Sequence, residues 1–346
     1  MAKINVGIVN VTGYIGMELA RLLHGHPGVR LAAVTGRSAV GQRLSNVLPH
    51  LYDFNLTIKP ELDQVDLAFS ALPHGESADA VVAMLERGIK VVDLGADFRL
   101  KSAADFESWY KVTAPASTYL EEAVYGLVEL NRERISAARI VANPGCYPTA
   151  AILGLSPAVK AGLIDADIIV DSKSGVSGAG RSLTLNTHYA EANENVSAYA
   201  LEGHRHLPEM IQELQRLSPD ARLSVTFLPH LVPMTRGILS SCYAKLKTAK
   251  VAGGKGLRDE IVSVYQNFYH DEPFVRVVAA PPQTKQTWGS NLCLIYPAVD
   301  LRTGRLIVIS CLDNLVKGGA GQAIQNMNLM LGLPETMGLP SLAVYP

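Results

Sequence analysis

Ile4–Val9 is a short β-rich run that leads directly into Asn10-Val11-Thr12-Gly13-Tyr14-Ile15-Gly16. Leu19, Leu22 and Leu23 then recur at helical spacing, and Val29–Thr35 forms a second β-rich run. A strand, a glycine turn, a helix and another strand restrict the start of the chain to a βαβ unit in a parallel sheet. Gly13 and Gly16 let the turn close tightly and let a pyrophosphate approach the helix N-terminus. Thr12, Gly13, Tyr14, Ile15 and Gly16 are therefore candidate dinucleotide contacts, with an ordinary tight βα turn as the competing reading. Asn10 stands where the looser Gly-x-x-Gly-x-x-Gly form has its first glycine, and asparagine tolerates left-handed backbone better than most residues.

The end of the second strand selects the cofactor. A site for NAD carries Asp or Glu there to bind the ribose 2′-hydroxyl. This chain reads Val34-Thr35-Gly36-Arg37-Ser38, with no acid. Arg37 can pair with a 2′-phosphate and Ser38 can donate to it, which points to NADP(H); a solvated arginine is the alternative.

Strands and helices continue to alternate. Residues 65–72 read as a buried strand ending at Pro73-His74-Gly75, and Pro73 joins the candidate cofactor contacts because ligands lie beyond the carboxyl ends of such strands. Ala78–Glu86 reads as a helix, 89–93 as a strand, Leu94-Gly95-Ala96-Asp97-Phe98-Arg99 as a polar loop, and Ile140–Ala142 as the last strand of this part. Beyond it the pattern changes to strand-like runs at 168–170, 224–228, 238–246, 274–279, 292–299 and 305–311, the last two joined by the turn Asp300-Leu301-Arg302-Thr303-Gly304. Few helices intervene, so a mixed, largely antiparallel sheet is expected. Residues 318–331 return to a helical pattern, with Gly332 as its stop signal. The expected class is thus α/β plus α+β, with a Rossmann-type NADP-binding domain (1–148 and 315–346) and a substrate and oligomerisation domain (149–314).

At 346 residues, two domains are the first expectation, and 48% hydrophobic residues supply ample core. A net charge of −1 with no basic run argues against nucleic acid as a partner. The chain has no long apolar span, and Met1-Ala2-Lys3-Ile4-Asn5 leads into a strand pattern rather than a signal peptide, so neither a membrane span nor export is expected. Cys146, Cys242, Cys293 and Cys311 lie far apart without metal-ligand spacing and read as reduced thiols of a cytoplasmic protein.

One cysteine stands apart. Asn143-Pro144-Gly145-Cys146-Tyr147-Pro148-Thr149 precedes the apolar run Ala150-Ala151-Ile152-Leu153-Gly154-Leu155. Two prolines and a glycine fix a turn, and a helix is predicted to begin at or just after Cys146. The unpaired N–H groups of a helix start favour thiolate over thiol and can hold an oxyanion. A buried structural cysteine is the competing reading. The second reactive group lies in His204-Arg205-His206-Leu207-Pro208-Glu209. In extended backbone the two imidazoles would face one side, and at a helix start they would diverge. Either can serve as acid/base near neutral pH, or the turn is structural; no third ligand nearby in sequence supports a metal, and none is expected.

These segments resemble the N-acetyl-gamma-glutamyl-phosphate reductases of arginine biosynthesis, relatives of aspartate-semialdehyde dehydrogenase with a fold like that of glyceraldehyde-3-phosphate dehydrogenase. The resemblance spans essentially the whole chain. It rests on the glycine turn, on Asp93-Leu94-Gly95-Ala96-Asp97-Phe98-Arg99, on the Cys146 and His-Arg-His motifs, on Ser174-Gly175-Val176-Ser177-Gly178-Ala179-Gly180, and on Asp313-Asn314-Leu315-Val316-Lys317-Gly318-Gly319-Ala320-Gly321-Gln322-Ala323. Asn10 departs from the glycine usual there. The resemblance implies Cys146 as nucleophile and His206 as acid/base, with Ser177 and Gly178 approaching the cofactor and Asn314 near its nicotinamide. It implies NADPH-dependent reductive dephosphorylation of an acyl phosphate through a cysteine thioester, by a homodimer or homotetramer. The same chemistry on a one-carbon-longer or carrier-protein-linked substrate of lysine biosynthesis is the nearest alternative, and a non-catalytic NADP-binding redox sensor the next.

Overall fold

The computed structural model describes residues 3–247 and 255–346. Met1 and Ala2, which open the segment read as running straight into a strand, lie outside them. The chain divides into two compact units: the residues up to Gly145 with Gly319–Leu339, and Cys146–Gly318 with Pro340–Pro346.

In the first unit, β1 (Ile4–Val9), β2 (Val29–Thr35), β3 (Ile58–Lys59), β4 (Leu67–Ser70), β5 (Lys90–Asp93), β6 (Val124–Tyr125) and β7 (Ile140–Ala142) form one sheet. Its order is β3-β2-β1-β4-β5-β7-β6, and every pair is parallel. Parallel strands covered on both faces need continuous apolar sequence, and Leu67–Ser70 is buried throughout. Helix α1 (Tyr14–His24) joins β1 to β2 and buries Leu19, Leu22 and Leu23, the three leucines of the helical pattern. Register pairs Val9 with Ser70, Ser70 with Asp93, and Asp93 with Ala142. β1, β4, β5 and β7 therefore end level, and Asn10, Ala71, Leu94 and Asn143 share the carboxyl rim where such sheets bind ligands. β4 is shorter than the expected 65–72: the chain leaves the sheet ahead of Pro73, which has no N–H to extend the ladder.

In the second unit, β8 (Ile164–Gly175), β9 (Ser197–Ala198), β10 (Ser224–Val232), β11 (Ile238–Leu246), β12 (Val275–Val277), β13 (Cys293–Asp300) and β14 (Arg305–Leu312) form a sheet ordered β12-β13-β14-β11-β8-β10-β9. The β8/β10 and β12/β13 pairs are parallel and the other four antiparallel, a mixed, largely antiparallel sheet. Helix α2 (Cys146–Lys160) packs on β11 and β14, and on α3 (Leu207–Leu217) and α4 (Lys255–Phe268). It is apolar on every side and buried from Tyr147 to Val159, as a central helix must be. Along β8, Ile168, Val170, Ser172 and Ser174 are buried while Ile169, Asp171 and Lys173 are not, the period-two pattern of a sheet covered on one face. On the other face Ile169 stands across from Tyr243, Tyr243 from Ile307, and Ile307 from Ala298, all incompletely covered.

The unit boundaries differ from those expected. Cys146 to Pro148 fall in the second unit because they belong to α2. Residues 315–318 follow β14 into the same unit. The terminal segment also lies there: Asn291 N donates to Pro340 O (2.8 Å) and Val344 N to Trp288 O (2.8 Å). Helix α5 (Gly321–Met330) belongs to the first unit, where Asn326 Nδ2 donates to Asn143 Oδ1 (3.0 Å) and Gly126 O (2.9 Å). Among the described residues no helix is long and apolar enough to cross a membrane.

Candidate active site

Cys146 is the first residue of α2, so the turn chemistry of its two prolines and glycine delivers the thiol to a helix N-terminus. It is partly covered, whereas Cys242, Cys293 and Cys311 are buried. Burial pushes the Cys242 thiol up to about 12 and also drives Cys311 upward, disfavouring their thiolates.

His206 is the N-cap residue of α3. Its helical backbone would send two imidazoles apart, yet the rings of His204 and His206 lie 4.7 Å apart, edge to face. The reason is local: His206 N donates to His204 Nδ1 (3.1 Å) and Leu207 N to His204 O (2.8 Å), folding the tripeptide into a turn. The Tyr147 ring, next to the thiol in sequence, lies 5.9 Å from each imidazole and 5.3 Å from Phe227. Tyr199 OH donates to Tyr147 OH (3.2 Å), which donates to His230 O (3.3 Å). Burial raises both phenols, Tyr199 to about 12, and the Cys146 charge adds to each shift. Burial and then the Arg205 charge lower His204 to about 4, so its imidazole is neutral at physiological pH. The sequence gives no pointer to Tyr147 or Tyr199, because an aromatic residue beside a motif carries no signal of its own.

Ser177, Gly178 and Asn314 are also brought together. Asn314 Nδ2 donates to Ser177 Oγ (2.9 Å), its Oδ1 accepts from Gly237 N (2.8 Å), and a Cβ on Gly178 would lie 3.8 Å from Asn314 Nδ2. Asn314 thus clamps the 174–180 loop. The turn after β14 is held by Asp313, whose Oδ1 accepts from Leu315 N (2.8 Å) and whose Oδ2 accepts from Gly289 N (2.8 Å).

In the first unit, Gly13 is the N-cap of α1 with no side-chain cap, and the first turn carries no acid. Asn10 adopts φ 66°, the left-handed geometry its type permits, and its Nδ2 donates to Ala71 O (2.9 Å). A Cβ on Gly16 would stand 2.5 Å from Asn10 O and 2.7 Å from Val11 Cα, so only glycine fits where helix and strand meet. Thr12, Gly13 and Ile15 are partly exposed and Tyr14 is exposed, along a turn whose N–H groups suit a pyrophosphate. Arg37 and Ser38 are exposed at the end of β2, and the Arg37 guanidinium bonds the Glu76 carboxylate. Pro73 is exposed in the neighbouring loop, which Asp97 fixes by accepting from Gly75 N (2.7 Å), Ser77 N (3.1 Å) and Ala78 N (3.0 Å). These groups fit a phosphorylated dinucleotide: an uncapped helix start, no acid in its first turn, and a guanidinium at the end of β2. Among the described residues no group of three His, Cys, Asp or Glu side chains is placed to hold a metal.

Two family models match, the Semialdehyde dehydrogenase NAD binding domain over residues 5–138 and the Semialdehyde dehydrogenase dimerisation domain over residues 146–314. A protein of Dehalococcoides mccartyi (strain CBDB1) named N-acetyl-gamma-glutamyl-phosphate reductase is 55% identical over 347 residues, covering 100% of each chain. In fold, the chain is similar to aspartate semialdehyde dehydrogenase II of Vibrio cholerae, complexed with ASA (TM-score 0.72, 18% identity, 96% of this chain and 99% of that one). It is also similar to the Candida albicans aspartate semialdehyde dehydrogenase with NADP (TM-score 0.68, 15% identity, 95% and 99%). With the Cys146 and His206 turns in one unit and a dinucleotide loop in the other, this chain belongs to the N-acetyl-gamma-glutamyl-phosphate reductase family of semialdehyde dehydrogenases.

Proposed function

We propose that the chain reduces N-acetyl-L-glutamyl 5-phosphate to N-acetyl-L-glutamate 5-semialdehyde, releasing phosphate, as an NADPH-dependent enzyme of arginine biosynthesis. The observation that carries this reading is Cys146, partly open at the first position of α2, in the same unit as the His204–His206 turn and linked to it through the Tyr147 ring. The Cys146 thiolate attacks the acyl carbon, the carbon–oxygen bond to phosphate breaks, and a thioester remains. Helix N–H groups hold the oxyanion that forms during the attack. NADPH, when bound, supplies the hydride that takes the thioester to the aldehyde level. His206 delivers the proton to the oxyanion and removes it as the carbon–sulfur bond breaks and Cys146 leaves as thiolate.

Gly13, Gly16 and their neighbours bind the pyrophosphate, with Thr12, Tyr14 and Ile15 lining the turn. Arg37 and Ser38 take the 2′-phosphate, and Pro73 lines the same rim. Ser177 and Gly178, held by Asn314, would meet the nicotinamide when the cofactor is bound. The family match includes a dimerisation domain. We assign a homodimer, or a homotetramer built from it, to the incompletely covered β-sheet face carrying Ile169, Tyr243 and Ile307, and we place the protein in the cytoplasm, where thiols outside any disulfide persist. The test is phosphate-dependent NADP reduction with N-acetylglutamate 5-semialdehyde against its one-carbon-longer analogue. A higher kcat/KM for the former is expected. Preference for the longer substrate assigns lysine biosynthesis, and no turnover with either leaves a redox sensor.

A further inference from the structure

His204 and His206 are equally able to titrate by type, yet their surroundings give them different work. The Nδ1 of His204 accepts the His206 main-chain N–H at 3.1 Å, so the neutral ring carries its proton on Nε2. The side chain closes a turn onto the backbone two residues on, as an asparagine does in an Asx turn. Its ring is wedged edge to face among His206 (4.7 Å), Phe227 (5.4 Å), Tyr199 (5.6 Å) and Tyr147 (5.9 Å). Protonating Nδ1 would break the turn. The new cation would face Arg205 beside it and any imidazolium on His206. Tyr147 of α2 and Tyr199 ahead of the turn both present uncharged phenols, Phe227 of β10 is apolar, and the Cys146 thiolate bears on the two tyrosines.

We propose that His204 is a positioning residue for His206: its Nδ1 holds the His206 main chain, its ring fixes the His206 imidazole, and proton transfer therefore falls to His206 alone. The proposal rests on His206 being the acid/base, as argued above. A neutral neighbour also leaves the working histidine free of like-charge repulsion, so His206 can cycle between imidazole and imidazolium.

Two variants separate the acceptor from the ring. His204→Phe keeps an aromatic ring and loses Nδ1, whereas the amide oxygen of His204→Asn can accept the same N–H. In the Phe variant kcat should fall about tenfold to hundredfold, with the NADPH Kd within about twofold of wild type and the histidine limb of the pH–rate profile displaced. His204→Asn, which restores the acceptor but not the ring, should recover part of the loss and move the limb back towards its original place. A Phe variant with wild-type kcat and pH profile, alongside an inactive His206→Asn, would overturn this proposal alone. A fully active His206→Asn would remove the acid/base assignment and this proposal with it. If His204→Phe does not fold, nitrogen NMR of the wild-type enzyme reads the same point: a neutral Nε2–H imidazole at residue 204 across about pH 6–8 supports the proposal, and a cation or an Nδ1–H tautomer there overturns it.

Discussion

Gly318 closes off one side of Cys146: a Cβ placed on it would lie 2.8 Å from the cysteine Cβ and 3.3 Å from its Cα. The π-helical turn Val316–Ala320 presents bare backbone to the nucleophile. Leu312 Cδ1, 3.2 Å from the same point, leaves the new methyl little room to retreat. Gly318→Ala should therefore move Cys146, and a misplaced attacking atom is expensive: kcat should fall about a hundredfold. Cofactor binding, measured by fluorescence titration, should change little. A folded Gly318→Ala enzyme with wild-type kcat would mean that the close approach has no role in placing the thiol.

Such a relationship is invisible in sequence, because Gly318 and Cys146 meet only through the fold. What could be read was local chemistry. Asn10 was legible as a residue able to replace glycine, and it does adopt φ 66°. The start of α2 at Cys146 and the ends of the Ala78–Glu86 helix follow from proline, glycine and apolar spacing. β3, β6 and β9 are two residues each, too short to show any period. The His-Arg-His geometry was undecidable from backbone arguments alone, since a side-chain hydrogen bond, His206 N to His204 Nδ1, sets the rings together. The family resemblance implies Asn314 near the nicotinamide. Its two bonds, to Ser177 and Gly237, reveal a clamp that no spacing rule would suggest.

The four thiols should react in an order set by burial. Cys146 is partly exposed at a helix start, while Cys242 is fully buried, Cys293 Sγ contacts Ser310 Oγ (3.4 Å) and Cys311 Sγ points to Pro282 O (3.6 Å). Iodoacetamide followed by peptide mapping should label Cys146 first, and prior substrate should protect it. Cys146→Ser should abolish turnover and leave NADPH binding near wild type. Equal labelling of all four cysteines, or substantial activity in Cys146→Ser, would count against covalent catalysis.

Arg37 and Glu76 form an exposed ion pair at the end of β2. A 2′-phosphate would have to take the guanidinium from the Glu76 carboxylate. Arg37→Ala should then weaken NADPH about tenfold to hundredfold and NADH much less, since only one of them loses a charge-assisted pair. Glu76→Gln should act in the opposite direction for NADPH, modestly, by removing the competing anion. Titration of both cofactors against both variants checks this, and equal losses of NADPH and NADH in Arg37→Ala would take the 2′-phosphate away from Arg37.

His26 gives the first unit an acid-sensitive joint. It is fully buried, its Nδ1 accepts from Gly28 N and Val29 N (3.2 Å each), and its Nε2 meets Asn328 Oδ1 of α5 at 3.0 Å. The neutral ring with its proton on Nε2 satisfies all three contacts, and protonating Nδ1 would cost the two backbone bonds. Burial, the leading cause, holds its pKa below the ordinary 6.5 against the opposing hydrogen bonds from Asn328 and Met337, with the Lys3 charge adding a smaller push down. The unfolded chain therefore takes up the proton first, so the contribution of His26 is complete above pH 6.5 and is lost as the pH falls from there towards the lower folded value. At about pH 8, His26→Ala should be destabilised by about 2–4 kcal/mol, because Gly28 N, Val29 N and Asn328 lose their partner. Towards about pH 5 the wild type loses part of this advantage and the two midpoints of denaturation should draw closer. His204, also lowered, titrates in the same direction in both proteins and cancels in the difference. A gap between variant and wild type that stays constant from about pH 8 to pH 5 would mean that His26 does not titrate on unfolding in this range.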